Sequence, residues 1–186
     1  AVVEAAPQLG GYGVHTAKVR RAGVPFYTGH TVLEAKGTDH VESAVVVKLD
    51  AAWKPIAGTE FELDVDTICI AAGLTPAVEL AFGAGCRSVN SPVLGGLVPW
   101  HDETMRTSLS SIYIAGDVSG VEEASTAMEE GRLAGLSAAQ SLGYLQEKRY
   151  RTRFEAINHN LLALRSGMFG QKRRDAKKAI VAASKG

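Results

Sequence analysis

The sequence predicts an α/β fold that combines strand–helix layers with a small antiparallel meander and a helical C-terminal tail. Two uninterrupted apolar runs, residues 67–72 and 112–115, each end at a glycine and precede a helix, which is typical of strands buried on both faces of a parallel sheet. Residues 59–65 instead alternate apolar and acidic side chains, which indicates a half-exposed strand. After residue 147 the chain is basic and has helical composition.

The other elements follow from local patterns of apolar residues, glycine and proline. In chain order we first expect a strand at 1–4, a loop at 5–13, a helix at 14–22 capped by Gly23, short strands at 24–28 and 31–35, and an antiparallel meander over 41–65. A helix from Pro76 to about Gly83 or Gly85 and irregular extended pieces at 89–99 should follow. The chain should then form a long helix at 122–142 stopped by Gly143, and one or two basic helices at 147–186 broken near 166–170.

The composition is that of a globular protein, with 46% hydrophobic and 22% charged residues. The formal net charge is zero, so the whole chain indicates no polyanionic partner such as nucleic acid. The charge is unevenly spread, because residues 147–186 hold eleven basic and three acidic residues, a net of +8. Such a tail is either a docking segment or a solvated amphipathic helix.

The two cysteines, Cys69 and Cys86, form neither a CxxC pair nor a metal-ligand cluster. Cys69 lies in the apolar run 67–72 and is expected to be a small buried hydrophobe. Unpaired thiols suit a reducing cytoplasm, and the sequence shows no signal peptide and no apolar stretch of membrane-spanning length. The chain begins abruptly with an apolar run typical of a strand, so we expect it to be the C-terminal part of a longer enzyme.

The segment 112–117 and the helix predicted after it carry the clearest signal for a ligand site. A strand that ends at a helix N-terminus presents free backbone N–H groups with partial positive charge. Gly116 would let a ligand approach the backbone, and Asp117 could accept hydrogen bonds from sugar-like hydroxyls. Ala124 and Ser125 lie in the first helical turn, where their N–H groups could face negative charge. The alternative is an ordinary strand–turn–helix in which Asp117 forms a local turn.

Two other positions indicate nucleotide contacts. Gly73 follows the run 67–72, and ligands of open α/β sheets lie at the carboxyl ends of strands. The alternative for Gly73 is a crossover without ligand contact. Glu4 follows the first apolar run, where an acid of a dinucleotide fold binds the adenosine ribose and favours NAD over NADP. The alternative for Glu4 is a surface glutamate at a strand end.

The sequence indicates neither a metal site nor a hydrolytic triad. The five histidines have no ligand spacing such as HxxxH, and no GxSxG motif is present. No catalytic acid or base can be assigned from the sequence, so the catalytic residues remain unknown.

The motif of residues 67–76, followed about forty residues later by residues 107–117, resembles the pyridine nucleotide-disulfide oxidoreductase superfamily. Residues 116–125 and 130–135 are most similar to the branch that contains amino-acid and opine dehydrogenase subunits and the hydrogen cyanide synthase flavin subunit. The resemblance covers about residues 1–143. Neither a GxGxxG fingerprint nor a redox CxxC occurs in the chain, so the main diphosphate loops and disulfide chemistry are not represented.

The resemblance implies partial Rossmann-like layers that bind FAD and NAD(P). Residues 1–80 would be the C-terminal part of the NAD(P)-binding domain, 81–146 the C-terminal part of the FAD-binding domain, and 147–186 a basic helical tail. Asp117 would bind the ribityl or pyrophosphate region of FAD, with Gly116 permitting that approach and Ala124 and Ser125 near the flavin ring. Gly73 would lie near the nicotinamide nucleotide, and Glu4 would match its ribose-binding acid.

The implied function is FAD-dependent transfer of hydride between NAD(H), or an amine or amino-acid substrate, and flavin. One alternative is an NADH-dependent flavin reductase that passes electrons to a partner redox protein. Another is a non-catalytic interaction subunit that docks through its basic tail. We expect a small-molecule substrate and no nucleic-acid or membrane partner, while a homo-oligomer and a partner redox subunit remain open.

Overall fold

A computed structural model describes residues 1–10 and 13–183. Residues 11 and 12 of the predicted loop, residues 184–186 of the predicted tail, and the side chains of Met168 and Phe169 lie outside the described part. The chain forms two compact units, Ala1–Ala71 (unit 1) and Ala72–Gly186 (unit 2). The division into two compact units does not show which nucleotide either unit binds, so the domain limits 1–80, 81–146 and 147–186 stay predictions.

Unit 1 opens with a strand–helix–strand unit. β1 (Val2–Glu4) pairs in parallel with β2 (Phe26–Thr28), and α1 (Gly13–Arg21) supplies the crossover that a parallel pair requires. Gly23 ends the helix at φ +76°, and its N–H donates to the Arg20 carbonyl at 3.0 Å. The predicted strand, helix and glycine cap are confirmed.

The remainder of unit 1 contains an antiparallel meander, which was predicted over 41–65 and also includes the strand predicted at 31–35. β3 (His30–Lys36), β4 (Ser43–Lys48) and β5 (Phe61–Asp64) are hydrogen-bonded in that order. The central strand buries Val46 and Val47 completely, while β5 alternates half-buried and exposed side chains. An antiparallel strand with a single apolar face produces the alternation seen in β5.

Unit 2 combines a hairpin with helices. Its elements are α2 (Glu79–Gly83), β6 (Ser88–Ser91), β7 (Gly96–Pro99), α3 (Ala124–Ser141), α4 (Glu147–Leu164) and α5 (Gly167–Ala182). β6 and β7 pair antiparallel in the region predicted to be irregular. Gly143 follows α3 at φ +78°, which confirms the predicted stop, and the tail is two helices.

The tail helices form part of the core of unit 2. One apolar cluster joins Leu133 of α3 to Ile157 and Leu161 of α4, and a second joins Ile180 of α5 to Leu94 and Val98. α4 and α5 are therefore amphipathic helices whose apolar faces are covered within the unit.

Both predicted buried strands of a parallel sheet are corrected by the structure. Residues 67–72 form no strand, and Cys69 and Ile70 are exposed, because no described segment pairs with this run. Residues 112–115 form no regular strand either, and make a single bridge between Tyr113 and Arg106. Apolar composition favours a strand, but the strand forms only where neighbouring strands offer backbone partners.

Candidate functional site

The segment before Gly116 is fixed by backbone hydrogen bonds to a neighbouring loop. Ile114 donates its N–H to the Met105 carbonyl at 3.0 Å, and Thr107 donates to the Ile112 carbonyl at 2.9 Å. Ile114 is only 7% exposed. The segment thus delivers the following turn to a defined position beside α3.

The turn that follows, residues 115–120, is called the Gly116 turn. Gly116 has φ +74°, and a Cβ there would lie 3.3 Å from the Cβ of Ala127 in α3. Glycine suits this position because the backbone is left-handed and close to the helix. The Gly116 N–H donates to Glu130 Oε2 at 2.9 Å. The crowding seen at Gly116 therefore comes from α3, and the approach of a ligand to its backbone stays a prediction.

The N-terminus of α3 lies beside the Gly116 turn and is open. Asp117, Ala124 and Ser125 are exposed. Residue 123, which precedes the helix, makes no side-chain capping bond, and the N–H groups of Ala124 and Ser125 have no backbone acceptor among the described residues. The structure thus brings a carboxylate and two available N–H donors to the same end of one helix.

Behind the turn lie four interacting charged side chains, here called the buried charge cluster: Glu122, Glu130, Arg165 and Lys177. Arg165 binds Glu122 with two hydrogen bonds of 2.6 and 2.9 Å, and it also contacts Glu130. Lys177 Nζ lies 2.8 Å from Glu130 Oε1 and 2.6 Å from Ser119 Oγ. Because Ser119 and Gly116 both donate to Glu130, the cluster connects α4 and α5 directly to the Gly116 turn.

The cluster is electrically balanced, with two carboxylates and two cations whose side chains are 3 to 11% exposed. Burial alone would raise the pKa of Glu130, but Lys177 and Arg165 outweigh it and hold that pKa below its ordinary value. Burial opposes the charge of Arg165, yet its bonds to Glu122 and Glu130 raise the Arg165 pKa. Glu130 is therefore ionised at neutral pH.

This cluster was not predicted from the sequence. Glu130 is on the buried face of α3 with Thr126, Leu133 and Ser137, and that helical spacing was the available signal. Arg165 and Lys177 were counted only as part of a basic tail. Their pairing with α3 depends on how α4 and α5 fold back, which local spacing does not encode.

The two remaining predicted site residues, Glu4 and Gly73, belong neither to the Gly116 turn nor to α3. Glu4 belongs to unit 1, at the carboxyl end of β1, where its side chain accepts a hydrogen bond of 2.9 Å from the Ala6 N–H. Gly73 is exposed at φ +115° in the irregular segment between residues 67 and 78. The structure groups Gly116, Asp117, Ala124 and Ser125 and does not test the ligand contacts of any of the six.

The chain matches the sequence profile of a known family and resembles several proteins. The profile is that of the pyridine nucleotide-disulphide oxidoreductases, and it matches residues 2–131. An opine oxidase subunit of Rhizobium meliloti (strain 1021) is 30% identical over 125 residues, covering 67% of this chain and 26% of that protein. Hydrogen cyanide synthase subunit HcnB of Pseudomonas aeruginosa is 28% identical over 115 residues, covering 62% and 25%.

Among solved structures, thioredoxin reductase of T. acidophilum superposes with a TM-score of 0.61 at 20% identity, covering 75% of this chain and 43% of that one. This similarity confirms the predicted α/β fold. The chain spans about a quarter of the length of the curated relatives it matches.

The described residues contain neither a candidate membrane span nor a candidate metal centre. None of the helices in residues 1–10 and 13–183 combines the length and apolar character needed to cross a bilayer. Within the same residues, no group of three or more His, Cys, Asp or Glu side chains is placed to hold a metal ion.

Proposed function

Because this chain belongs to the pyridine nucleotide-disulphide oxidoreductase family, we propose that it supplies part of an FAD-dependent oxidoreductase. In this proposal hydride passes between the flavin and either NAD(H) or an amine or amino-acid substrate. The observation that carries it is the exposed Asp117 beside the available N–H groups of Ala124 and Ser125.

The donors and acceptors at this end of α3 fit one portion of FAD. Asp117 would accept hydrogen bonds from ribityl hydroxyls, and the Ala124 and Ser125 N–H groups would face the oxygen-bearing edge of the flavin ring. FAD, when bound, supplies the centre that gains or loses hydride. Glu130 would hold the Gly116 turn in position through its bond to the Gly116 N–H.

For the second nucleotide we propose roles for Glu4 and Gly73. Glu4 lies at the carboxyl end of β1 in a β–α–β unit, which is where ribose-binding acids occur in dinucleotide folds. Its carboxylate would accept hydrogen bonds from the ribose hydroxyls of NAD. Gly73 would lie near the nicotinamide nucleotide. It has a positive φ, which favours glycine, and no atom lies within 4 Å of the position that a Cβ would take.

The names of the relatives support an amine or amino-acid substrate over a disulfide. The opine oxidase subunit and hydrogen cyanide synthase subunit HcnB are both similar to this chain, and no CxxC is present in its sequence. The NADH-dependent reductase remains the second candidate for the same site. We also propose a cytoplasmic location, since the described cysteines, Cys69 and Cys86, are unpaired.

The interaction-subunit alternative is weakened by the tail itself. Arg165 and Lys177 bind Glu122 and Glu130 inside unit 2, so these two cations are not presented to a partner.

The proposal is tested by anaerobic rapid-mixing of the full-length gene product with NADH, with L-proline and with other amino acids. Bleaching of the oxidised-flavin absorption by an amino acid supports the dehydrogenase, and bleaching by NADH alone supports the reductase. No bleaching with either class overturns both candidates.

The same protein with Asp117→Asn tests the site. Loss of a charged acceptor is expected to weaken flavin retention about tenfold or more. Asp39→Asn is the matched control, because Asp39 is an exposed aspartate of unit 1. Equal flavin content in the two variants would remove Asp117 from the flavin site.

A further inference from the structure

A cavity of about 490 Å³ lies in unit 2 between α4, α5 and the loop that carries His101. Its volume falls in the range of small-molecule sites. Asp117, Ala124 and Ser125 do not line it, so it is separate from the proposed flavin contacts. Its walls are of three kinds: an imidazole, cationic side chains and aliphatic side chains.

His101 lines this cavity, and one of its ring nitrogens has no hydrogen-bond partner among the described residues. The side chain is 3% exposed, and its Nδ1 lies 2.9 Å from the Asp102 carbonyl oxygen. A carbonyl only accepts, so Nδ1 carries the proton. Burial, with the charge of Lys177, lowers the His101 pKa and keeps the ring neutral at neutral pH. Nε2 is then a buried lone pair, and no described residue donates to it.

The cationic wall consists of Arg174 and Lys178. Arg174 Nε is buried without a hydrogen-bond acceptor in the described part of the chain, and its ion pair with Asp175 is long, at 3.6 Å. Arg165 and Lys177 also line the cavity, but they are already bound by the carboxylates of the buried charge cluster. Arg174 and Lys178 are therefore the cations with capacity for an added anion.

Two further carboxylates, those of Asp102 and Glu103, lie at the cavity, and neither forms an ion pair with Arg174 or Lys178. Asp102 Oδ1 accepts hydrogen bonds from the N–H and hydroxyl of Thr104 and from the Arg106 N–H, at 2.8, 2.6 and 3.1 Å. Glu103 is exposed, so its charge is solvated. The aliphatic wall is formed by Met105, Leu133, Leu161 and Leu162.

We propose that this cavity binds a small aliphatic hydroxycarboxylic acid, with its hydroxyl donating to His101 Nε2, its carboxylate at Arg174 and Lys178, and its chain against the leucines. A neutral hydroxyl suits the imidazole better than an ammonium group would, because Lys177 already places positive charge near the ring. The inference stands on unit 2 alone and is independent of flavin binding.

The experiment is an NMR titration with sodium 2-hydroxy-4-methylpentanoate of the chain labelled with ¹⁵N and with ¹³C in its leucine methyl groups. We expect a saturable shift of the His101 Nε2 resonance, with leucine-methyl shifts of Leu161 and Leu162. The matched ligand 4-methylpentanoate lacks only the hydroxyl, and it should bind about tenfold more weakly. It should also leave Nε2 nearly unshifted.

Three variants locate the contacts. Arg174→Gln should weaken both acids about tenfold, since it removes a charged donor. Arg149→Gln is its control, because Arg149 is exposed on α4 and does not line the cavity. His101→Phe should bind the two acids equally. If that variant fails to fold, the difference in affinity of the unchanged chain for the two acids still tests the role of the hydroxyl.

Two results would overturn the inference. One is the absence of any saturable shift with the hydroxy acid in the high millimolar range. The other is equal affinity for both acids without a shift of the Nε2 resonance, which would show that the hydroxyl does not contact this nitrogen.

Discussion

Glu130 is the residue on which the Gly116 turn depends. One oxygen accepts from the Gly116 N–H and from Ser119, and the other faces Lys177 and Arg165. A buried carboxylate is costly unless its charge and lone pairs are all matched, and here they are. The residue therefore joins the backbone of the turn to the C-terminal helices.

Replacing Glu130 with Gln should lower the free energy of unfolding by about 3–5 kcal/mol at neutral pH, because Lys177 and Arg165 would both lose the buried carboxylate that they share. The Glu130 pKa is lowered from its ordinary 4.5. Its stabilisation is thus present above pH 4.5 and is lost as the pH falls through the folded-state pKa. Urea unfolding at neutral and at acidic pH should show the two proteins converging in acid.

Glu147→Gln is the control for this prediction. Glu147 makes an exposed ion pair with Arg151 at 2.6 Å, and such pairs contribute about 0.5 kcal/mol or less. A Glu130→Gln variant as stable as this control would mean that the cluster contributes nothing to stability.

Ala124 offers a test of the backbone N–H groups at α3. Proline is tolerated at the first helical position, and residue 123 already has the extended ψ of 152° that proline requires before it. Ala124→Pro should remove one N–H while changing the melting temperature little. Flavin retention by the full-length gene product should fall severalfold, measured by bound flavin per polypeptide. Ala124→Ser keeps the N–H and should retain flavin normally. Equal retention by both would exclude this N–H from flavin binding.

At the scale of elements, α4 and α5 are integral parts of unit 2 because they bury both apolar and charged side chains against α3 and the hairpin. Leu161 and Leu162 are adjacent on α4, but one lies on its buried face and the other on its exposed face. Leu161 is 4% exposed and Leu162 is 51% exposed.

Leu161→Ala should therefore lower the free energy of unfolding by about 2–5 kcal/mol through lost burial and an added cavity. Leu162→Ala should cost about 1 kcal/mol or less, since its side chain is already half in water. Chemical unfolding of both variants measures the difference. Equal effects would place α4 away from the core.

Elements governed by local signals were predicted well from sequence. α1 with Gly23, α3 with Gly143, and the meander around β4 depend on periodicity and glycine caps that neighbours in sequence supply. Residues 67–72 and 112–115 failed because a strand depends on pairing partners that its own composition does not specify. For the site, one strand–turn–helix pattern was enough to select Asp117, Ala124 and Ser125. The buried charge cluster was not predictable in this way, because it depends on how α4 and α5 fold back onto α3.

At the scale of the whole molecule, the chain has an α/β fold and belongs to the pyridine nucleotide-disulphide oxidoreductase family. The proposed cofactor contacts come from only part of a nucleotide-binding fold. The 186 residues contain no GxGxxG motif, so the backbone cradle for the FAD diphosphate is missing from this sequence. Asp117 and the α3 N-terminus offer contacts to only part of the cofactor.

The purified chain should consequently show no stoichiometric flavin absorption, even after incubation with excess FAD and gel filtration. Addition of FAD should also leave its melting temperature unchanged within error, because stabilisation follows occupancy. A yellow protein with one flavin per chain would contradict this prediction and show that α3 and the Gly116 turn hold the cofactor unaided.

The hydrogen bond between Ser119 and Lys177 joins residues that are 58 positions apart. On the ribosome, the Gly116 turn is made well before the helix that completes its bonding. Until Lys177 emerges, the Glu130 carboxylate must remain hydrated, and hydration of a group that belongs in the interior holds α3 away from its final packing. We therefore expect the turn to reach its final form only after α5 has been synthesised.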